Sequence, residues 1–181
     1  MKRISTGQVH SMCVQPTFLI GTFNEDGTPN FAPITWVSVT YGDDYMLVIS
    51  MNGSKRTKQN IARSGMFAAN LVSTDMIDLL NYFGSSSGMH GAKDQLPHQW
   101  ETAVTVDAPT LNNSRYVYEC KIAFSVQNGE TTTYFAPIKN IQVMEDACAS
   151  VDKEKADLLK LNPVVYSGGY YAIGADLEAS H

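Results

Sequence analysis

The feature that most restricts this chain is an alternation in its C-terminal third. Tyr116, Tyr118, Cys120, Ile122, Phe124 and Val126 fall at every second position. Glu119, Lys121, Ser125 and Gln127 lie between them, with Val117 and Ala123 as exceptions. A period of two places the first set on one face of an extended strand and the second set on the other. Asn128-Gly129 then supplies a two-residue hairpin turn. The return strand is expected over Thr131–Val143, where Pro137 lacks an amide hydrogen and forces an edge or a bulge. A long hairpin of this kind commits the chain to an antiparallel sheet.

The same grammar runs through the first fifty residues. A strand is expected over residues 17–23, followed by the hairpin signal Asn24-Glu25-Asp26-Gly27. A long second strand follows over 31–41, and Gly42-Asp43-Asp44 turns the chain. The third strand, 45–50, is apolar enough for burial on both faces. Final strands are expected at 164–166 and 170–173, after Pro163.

Three helical segments interrupt the strands. The first, 55–64, has Asn52 or Ser54 as N-cap and Gly65 as its stop. The second, 75–83, aligns Met76, Leu79, Leu80 and Phe83 on one face and ends at Gly84. The third, 151–161, follows Ser150, carries Asp152 and Glu154 in its first turn, and stops before Pro163. Residues 85–99 are Ser- and Gly-rich with little pattern. The prediction is a mainly β (α+β) fold: one antiparallel, closed or nearly closed barrel with a few peripheral helices, forming a single domain over 1–181.

Composition excludes several functions. The 181 residues are 44% hydrophobic and 17% charged, with net charge −5, which suits one self-sufficient globular core. No basic stripe is present for nucleic acid or an anionic membrane. No apolar run reaches the roughly 18 to 20 residues of a membrane span. Met1-Lys2-Arg3-Ile4-Ser5-Thr6-Gly7 lacks the apolar stretch of a signal peptide, so a cytoplasmic protein is expected.

Cys13, Cys120 and Cys148 form no CxxC pair and are odd in number, which argues against disulfides, and Cys120 reads as core. His10-x-x-Cys13 has the spacing of half a metal site but no second pair of ligands, so no metal is expected. His90, His98 and His181 have no spacing that marks an acid or base. Asp43-Asp44 and Glu145-Asp146 read as solubilising turns. Serine-hydrolase elbows, zinc helices, Walker loops and dinucleotide turns are all missing.

One segment does carry chemistry: Ser50-Met51-Asn52-Gly53-Ser54-Lys55-Arg56-Thr57-Lys58-Gln59-Asn60. It leaves a strand, turns through a glycine, and opens a helix with cations where acidic residues are favoured. Bound phosphate, with about −1.5 to −2 charges and three acceptor oxygens, reverses that penalty. A solvated basic turn is the alternative reading.

In these pieces the chain resembles the flavin reductase-like, FMN-binding split-barrel family, which includes flavoredoxins and small flavin reductases. Pro16-Thr17-Phe18-Leu19-Ile20-Gly21-Thr22 resembles its first strand. Asp26-Gly27-Thr28-Pro29-Asn30-Phe31-Ala32-Pro33 resembles the family's D-G-x-x-N-x-A-P signature. Lys55-Arg56-Thr57-Lys58-Gln59-Asn60-Ile61 resembles its phosphate loop and helix, and Gly65-Met66-Phe67-Ala68-Ala69-Asn70-Leu71 its next strand. Tyr82-Phe83-Gly84, Glu119-Cys120 and the Tyr/Gly cluster at 166–174 extend the likeness.

The resemblance implies a split barrel holding FMN. Asn30, Ala32, Pro33, Ile34, Thr35 and Trp36 are expected to line the isoalloxazine, with backbone groups of Ala32 and Thr35 near its polar edge. Ser50 and Met51 are expected at the ribityl chain. Ser54, Lys55, Arg56 and Thr57 hold the phosphate in this reading, with Asn60 reaching back toward it. It also implies a homodimer with flavin near the interface, Ser86 and its loop completing the partner's site.

The activity implied is passage of hydride or electrons through FMN to a flavin, small-molecule or protein acceptor. No dedicated acid or base is required, and no catalytic residue is assigned. NAD(P)H or an electron-transfer protein is the expected donor. Many NADH-using members of that family carry Gly-Asp-His in the hairpin before the late strand. This chain has Asn128-Gly129-Glu130-Thr131-Thr132-Thr133-Tyr134, which turns the expectation toward a flavoredoxin-like carrier. A non-enzymatic FMN carrier and a barrel binding another phosphorylated ligand are the alternatives.

Overall fold

The expected late hairpin forms, and it organises the molecule. A computed structural model of the chain describes residues 13–85, 99–149 and 155–174. The strands are β1 (Gln15–Pro16), β2 (Phe18–Phe23), β3 (Pro29–Ile34), β4 (Val37–Tyr41), β5 (Tyr45–Met51) and β6 (Met66–Leu71). They continue as β7 (Trp100–Thr102), β8 (Pro109–Leu111), β9 (Tyr116–Lys121), β10 (Phe124–Asn128), β11 (Thr131–Val143), β12 (Val164–Tyr166) and β13 (Tyr170–Ala172). The helices are α1 (Arg56–Ser64), α2 (Ile77–Ser85) and α3 (Leu158–Leu161).

The main sheet runs β3-β2-β6-β9-β11-β5-β4, with β10 also on β11, and its pairings are antiparallel. Its two edges, β3 and β4, are consecutive in the chain yet do not pair, so the curled sheet is a split barrel. Residues Phe18, Ile20, Ile34, Leu47, Ile49, Met51, Phe67, Ala69, Cys120, Tyr134 and Ala136 fill the inside. Helix α1 adds Ile61, only 2% exposed, to this core, worth about 2 kcal/mol of apolar burial. Gly65 closes α1 in the left-handed region at φ +68°, its amide donating to the Ile61 carbonyl.

Pro137 acts as expected. It is the last β11 residue paired with β5, and the register shifts between Ile138 and Asn140 as β11 pairs with β9. The outer face of β2, β6 and β9 is covered by residues 103–111. Gly21 permits this, because a Cβ there would lie 2.1 Å from the Pro109 carbonyl oxygen. Asn70 fastens the same segment, accepting from the Leu111 amide at 2.8 Å and donating to the Leu19 carbonyl at 3.0 Å.

Several expectations need correction. The 31–41 strand is two strands, because the chain turns at Thr35-Trp36, where the Val37 amide donates to the Thr35 carbonyl at 2.9 Å. The strand at 116–126 also breaks, between Lys121 and Phe124, as the chain passes from the covered to the uncovered part of the sheet. β5 alternates between buried and half-buried residues rather than being buried on both faces, since nothing described covers its outer side. Glu119 lies on the face opposite the apolar set, as the alternation has it, but is fully buried there under residues 103–111.

Lys55, not Asn52 or Ser54, is the N-cap of α1. The 75–83 helix begins with a 3₁₀ turn, Thr74–Met76, and continues through Gly84 to Ser85. Its apolar face is placed as expected, with Met76, Leu79, Leu80 and Phe83 buried. Within the described residues the third helix is Leu158–Leu161, capped by Asp157, which accepts from the Leu159 and Lys160 amides. Ser150, Asp152, Glu154, Ser86 and all four histidines lie outside the described residues. Among the described residues, no helix is long and apolar enough to cross a membrane.

Candidate anion and flavin site

The corner at Thr35-Trp36 brings two distant segments together. The Trp36 carbonyl accepts the Ser50 amide at 3.0 Å, so the end of β3 lies against the end of β5, just before α1. The residues that the resemblance assigns to the ring and to the phosphate therefore adjoin. Thr35 is half-buried and Trp36 is exposed at this corner. Ala32 is buried, and Pro33 packs toward α2, its Cγ 3.7 Å from where a Cβ on Gly84 would stand. The side chains of Ile34 and Met51 belong to the core, so only their main-chain groups are available to a ligand.

The expected phosphate residues divide into a rim and a floor. Ser54 and Lys55 are exposed and Arg56 is half-buried, its Nη1 donating to Gln59 Oε1 at 3.1 Å. A helix start leaves its first amides without intrahelical acceptors. Lys55 supplies no side-chain cap, and no acidic residue stands in the first turn. Backbone amides, a hydroxyl and two cations at one helix end form a donor set that fits a phosphate. Across from it, hydrogen bonds from Thr28 and the nearby Arg56 charge hold the Asp26 carboxyl below its usual range.

Thr57, Asn30 and Asn60 form the floor and are almost fully buried. Asn30 Nδ2 donates to Thr22 Oγ1 at 3.2 Å and to Thr57 Oγ1 at 3.0 Å. Asn60 Nδ2 donates to Thr22 Oγ1 at 3.1 Å and to Asn24 Oδ1 at 3.0 Å. These bonds tie α1 to the β2–β3 hairpin and orient the helix start. Sequence reasoning missed Thr22 and Asn24. The Asp26-Gly27 turn was the available signal, because it sets Thr22 opposite Asn30 on an otherwise apolar face.

Lys58 does not join the rim. Its Nζ donates to the carbonyls of Gly53 at 3.0 Å and Glu130 at 2.9 Å. Ser50 Oγ lies 2.7 Å from Thr133 Oγ1. Strongly shifted groups sit elsewhere: burial raises the Cys120 thiol and the Tyr116 hydroxyl within the barrel. Burial also pushes Glu119 upward, but hydrogen bonds from Thr105, Asn140 and Gln142 prevail and bring it down to about 2.

A sequence model of the flavin reductase-like domain matches residues 10–174. The chain belongs to the flavin reductase-like family. Among relatives of this family member is the FMN reductase (NADH) RutF of Pseudomonas syringae pv. syringae (strain B728a). It is 28% identical over 133 residues, covering 74% of this chain and 72% of the relative. The flavoredoxin of Desulfovibrio vulgaris (Miyazaki F) superposes with a TM-score of 0.90 at 23% identity, covering 99% of this chain and 97% of the other. Flavoredoxin from Methanosarcina acetivorans gives 0.88 at 22% identity, covering 99% and 96%. These likenesses show that the flavin reductase-like chain has the flavoredoxin fold.

Proposed function

We propose that the α1 rim binds the phosphate of FMN and the Thr35-Trp36 corner receives its ring. The protein is an FMN-dependent oxidoreductase of the flavin reductase and flavoredoxin type. The observation that carries the site is the Trp36–Ser50 main-chain bond, which sets the corner beside an uncapped helix start. Bound FMN supplies hydride and single-electron transfer. The chain's own residues do the rest. Lys55 and Arg56 neutralise the phosphate, the Asn30–Thr57 and Asn60–Thr22 bonds fix the helix that aims the amides, and Trp36 shields one side of the site from water.

A flavoredoxin-like carrier, fed by a protein rather than by NAD(P)H, is the form of this reading we favour. The hairpin tip at 128–134 carries no histidine and no imidazole to place a nicotinamide. The working compartment in this proposal is the cytoplasm.

The functional unit we propose is a homodimer. The outer face of β10, β11 and β5 presents Phe124 and Val126, which are 51% and 53% exposed, beside half-buried Phe135, Val48 and Met46. The Phe124 and Phe135 rings stack at 4.5 Å. Ser50 lies on that same face by alternation, so a second copy seated there borders the flavin site. Phe124→Asp is expected to yield a monomer by light scattering, and an unchanged dimer sinks this interface.

Visible absorbance of the purified protein, with and without added FMN, tests the cofactor. Anaerobic titration with NADH and NADPH then separates the donors. Bleaching of bound flavin by either nucleotide supports a reductase, and resistance to both supports the carrier. A colourless protein that takes up no FMN overturns the reading.

A further inference from the structure

Lys58 stands at the third helical position of α1, among the cations that the resemblance associates with phosphate, yet its ammonium is engaged by two main-chain carbonyls. One belongs to Gly53, in the turn that opens α1. The other belongs to Glu130, at the tip of the β10–β11 hairpin. Two side-chain contacts run alongside it. Thr131 Oγ1 donates to Asn52 Oδ1 at 3.3 Å, and Ser50 Oγ meets Thr133 Oγ1. Within the turn, Asn52 Oδ1 also accepts the Gly53 amide at 2.8 Å, and Gly53 holds a left-handed φ of +69°. The turn that aims the first amides of α1 is thus strapped to the hairpin tip, and the only formal charge in the strap is that of Lys58. Charge-assisted hydrogen bonds are the strong members of such a set.

We infer that Lys58 is a positioning residue that couples the phosphate cradle to the β10–β11 hairpin. It pre-forms the 52–54 turn before a phosphate arrives, and occupancy of the cradle tightens the amides of residues 129–131. The inference rests on the phosphate placement proposed above. It assigns the segment's third cation to main-chain carbonyls instead of to the ligand.

FMN and riboflavin differ only by the phosphate, so the pair isolates the cradle. Both are titrated at several salt concentrations into the wild type, Lys58→Met, Lys58→Arg and Lys55→Ala, with amide exchange followed at residues 129–131. Lys58→Met is expected to weaken FMN about five- to tenfold and leave riboflavin unchanged. Its salt slope stays near wild type, whereas Lys55→Ala flattens the slope because a direct phosphate contact is lost. Exchange at the hairpin tip accelerates in Lys58→Met with or without FMN, and Lys58→Arg restores both affinity and protection.

Wild-type FMN affinity and exchange in Lys58→Met overturn the inference. So does a salt slope flattened as in Lys55→Ala, which makes Lys58 a phosphate ligand. If the wild type binds FMN no better than riboflavin, the phosphate placement falls instead. Hairpin exchange in ligand-free Lys58→Met then still decides the strap.

Discussion

The two faces of the main sheet each bury a polar cluster, and the two clusters are built on different principles. On the inner face Thr22, Asn30, Thr57 and Asn60 satisfy one another with neutral amides and hydroxyls. On the outer face Glu119 brings a full negative charge. Its Oε2 accepts from the Thr105 amide and, at 2.6 Å, from the Thr105 hydroxyl. Its Oε1 accepts from Asn140 at 2.8 Å and Gln142 at 2.7 Å. The neutral cluster lies directly beneath the proposed anion rim, where a buried carboxylate would repel a phosphate. The charged cluster is kept on the other side of the sheet, where its task is to hold residues 103–111. A buried carboxylate fastens the outer face, and the buried floor beneath the proposed phosphate cradle is held by neutral groups alone.

Replacing Glu119 gives the largest test of that contrast. Glu119→Ala strands several buried donors and is expected to cost about 3 kcal/mol or more in chemical denaturation. A loss within about 0.5 kcal/mol, the range of an ordinary surface change, means the outer cluster fastens nothing. Acid provides a second, slightly smaller probe. The Glu119 carboxyl is held at about 2 against an ordinary 4.5, a difference worth about 3 kcal/mol at neutral pH. Because the folded value is the lower one, this stability is complete above the unfolded value. It is lost as pH falls from about 4.5 through about 2. A Glu119→Gln variant is expected to lose that segment of the pH–stability curve, and retention of it in the variant assigns the acid sensitivity elsewhere.

The inner cluster predicts smaller changes of a different kind. Asn30→Ala removes the bonds to Thr22 and Thr57 and is expected to cost about 1–2 kcal/mol of stability. It also weakens FMN a few fold, because α1 loses its seat. Smallest in stability is the rim. Lys55→Ala with Arg56→Ala is expected to leave the unfolding free energy within about 0.5 kcal/mol. FMN affinity falls by at least about tenfold, or about 1.4 kcal/mol. Equal losses of stability and affinity in the rim and floor variants would dissolve the distinction between them.

What could be read from the residues follows the same division. Alternation and glycine turns located β2 to β5 and β9 to β13, because period-two patterns and left-handed turns are local properties, whereas β6 came only from the resemblance and the short β1, β7 and β8 were missed. The break at Thr35-Trp36 was hidden, since the residues on both sides favour extended backbone and the turn is held by Ser50, fourteen positions later. The burial of Glu119 was hidden for a related reason. Its exposure depends on the 103–111 segment, which Gly21 and Asn70 admit from far away in the chain. At the site, the cations were legible as misplaced charges at a helix start. That Lys58 serves carbonyls while Lys55 faces solvent was not, because a side chain's direction depends on the neighbouring hairpin.

Strand β11 has a consequence for how the chain reaches this structure. Its first half pairs with β5, 81 positions earlier at Thr132↔Met51 and 91 earlier at Pro137↔Met46, and its second half with β9.

 An emerging polypeptide therefore holds the β4–β5 hairpin without β11, the other partner of β5, until most of the chain has been synthesised. Sheets closed by such distant pairings fold in milliseconds to seconds rather than microseconds. Until then the apolar β5 edge is open to other chains, which makes the nascent protein a client for chaperones during translation.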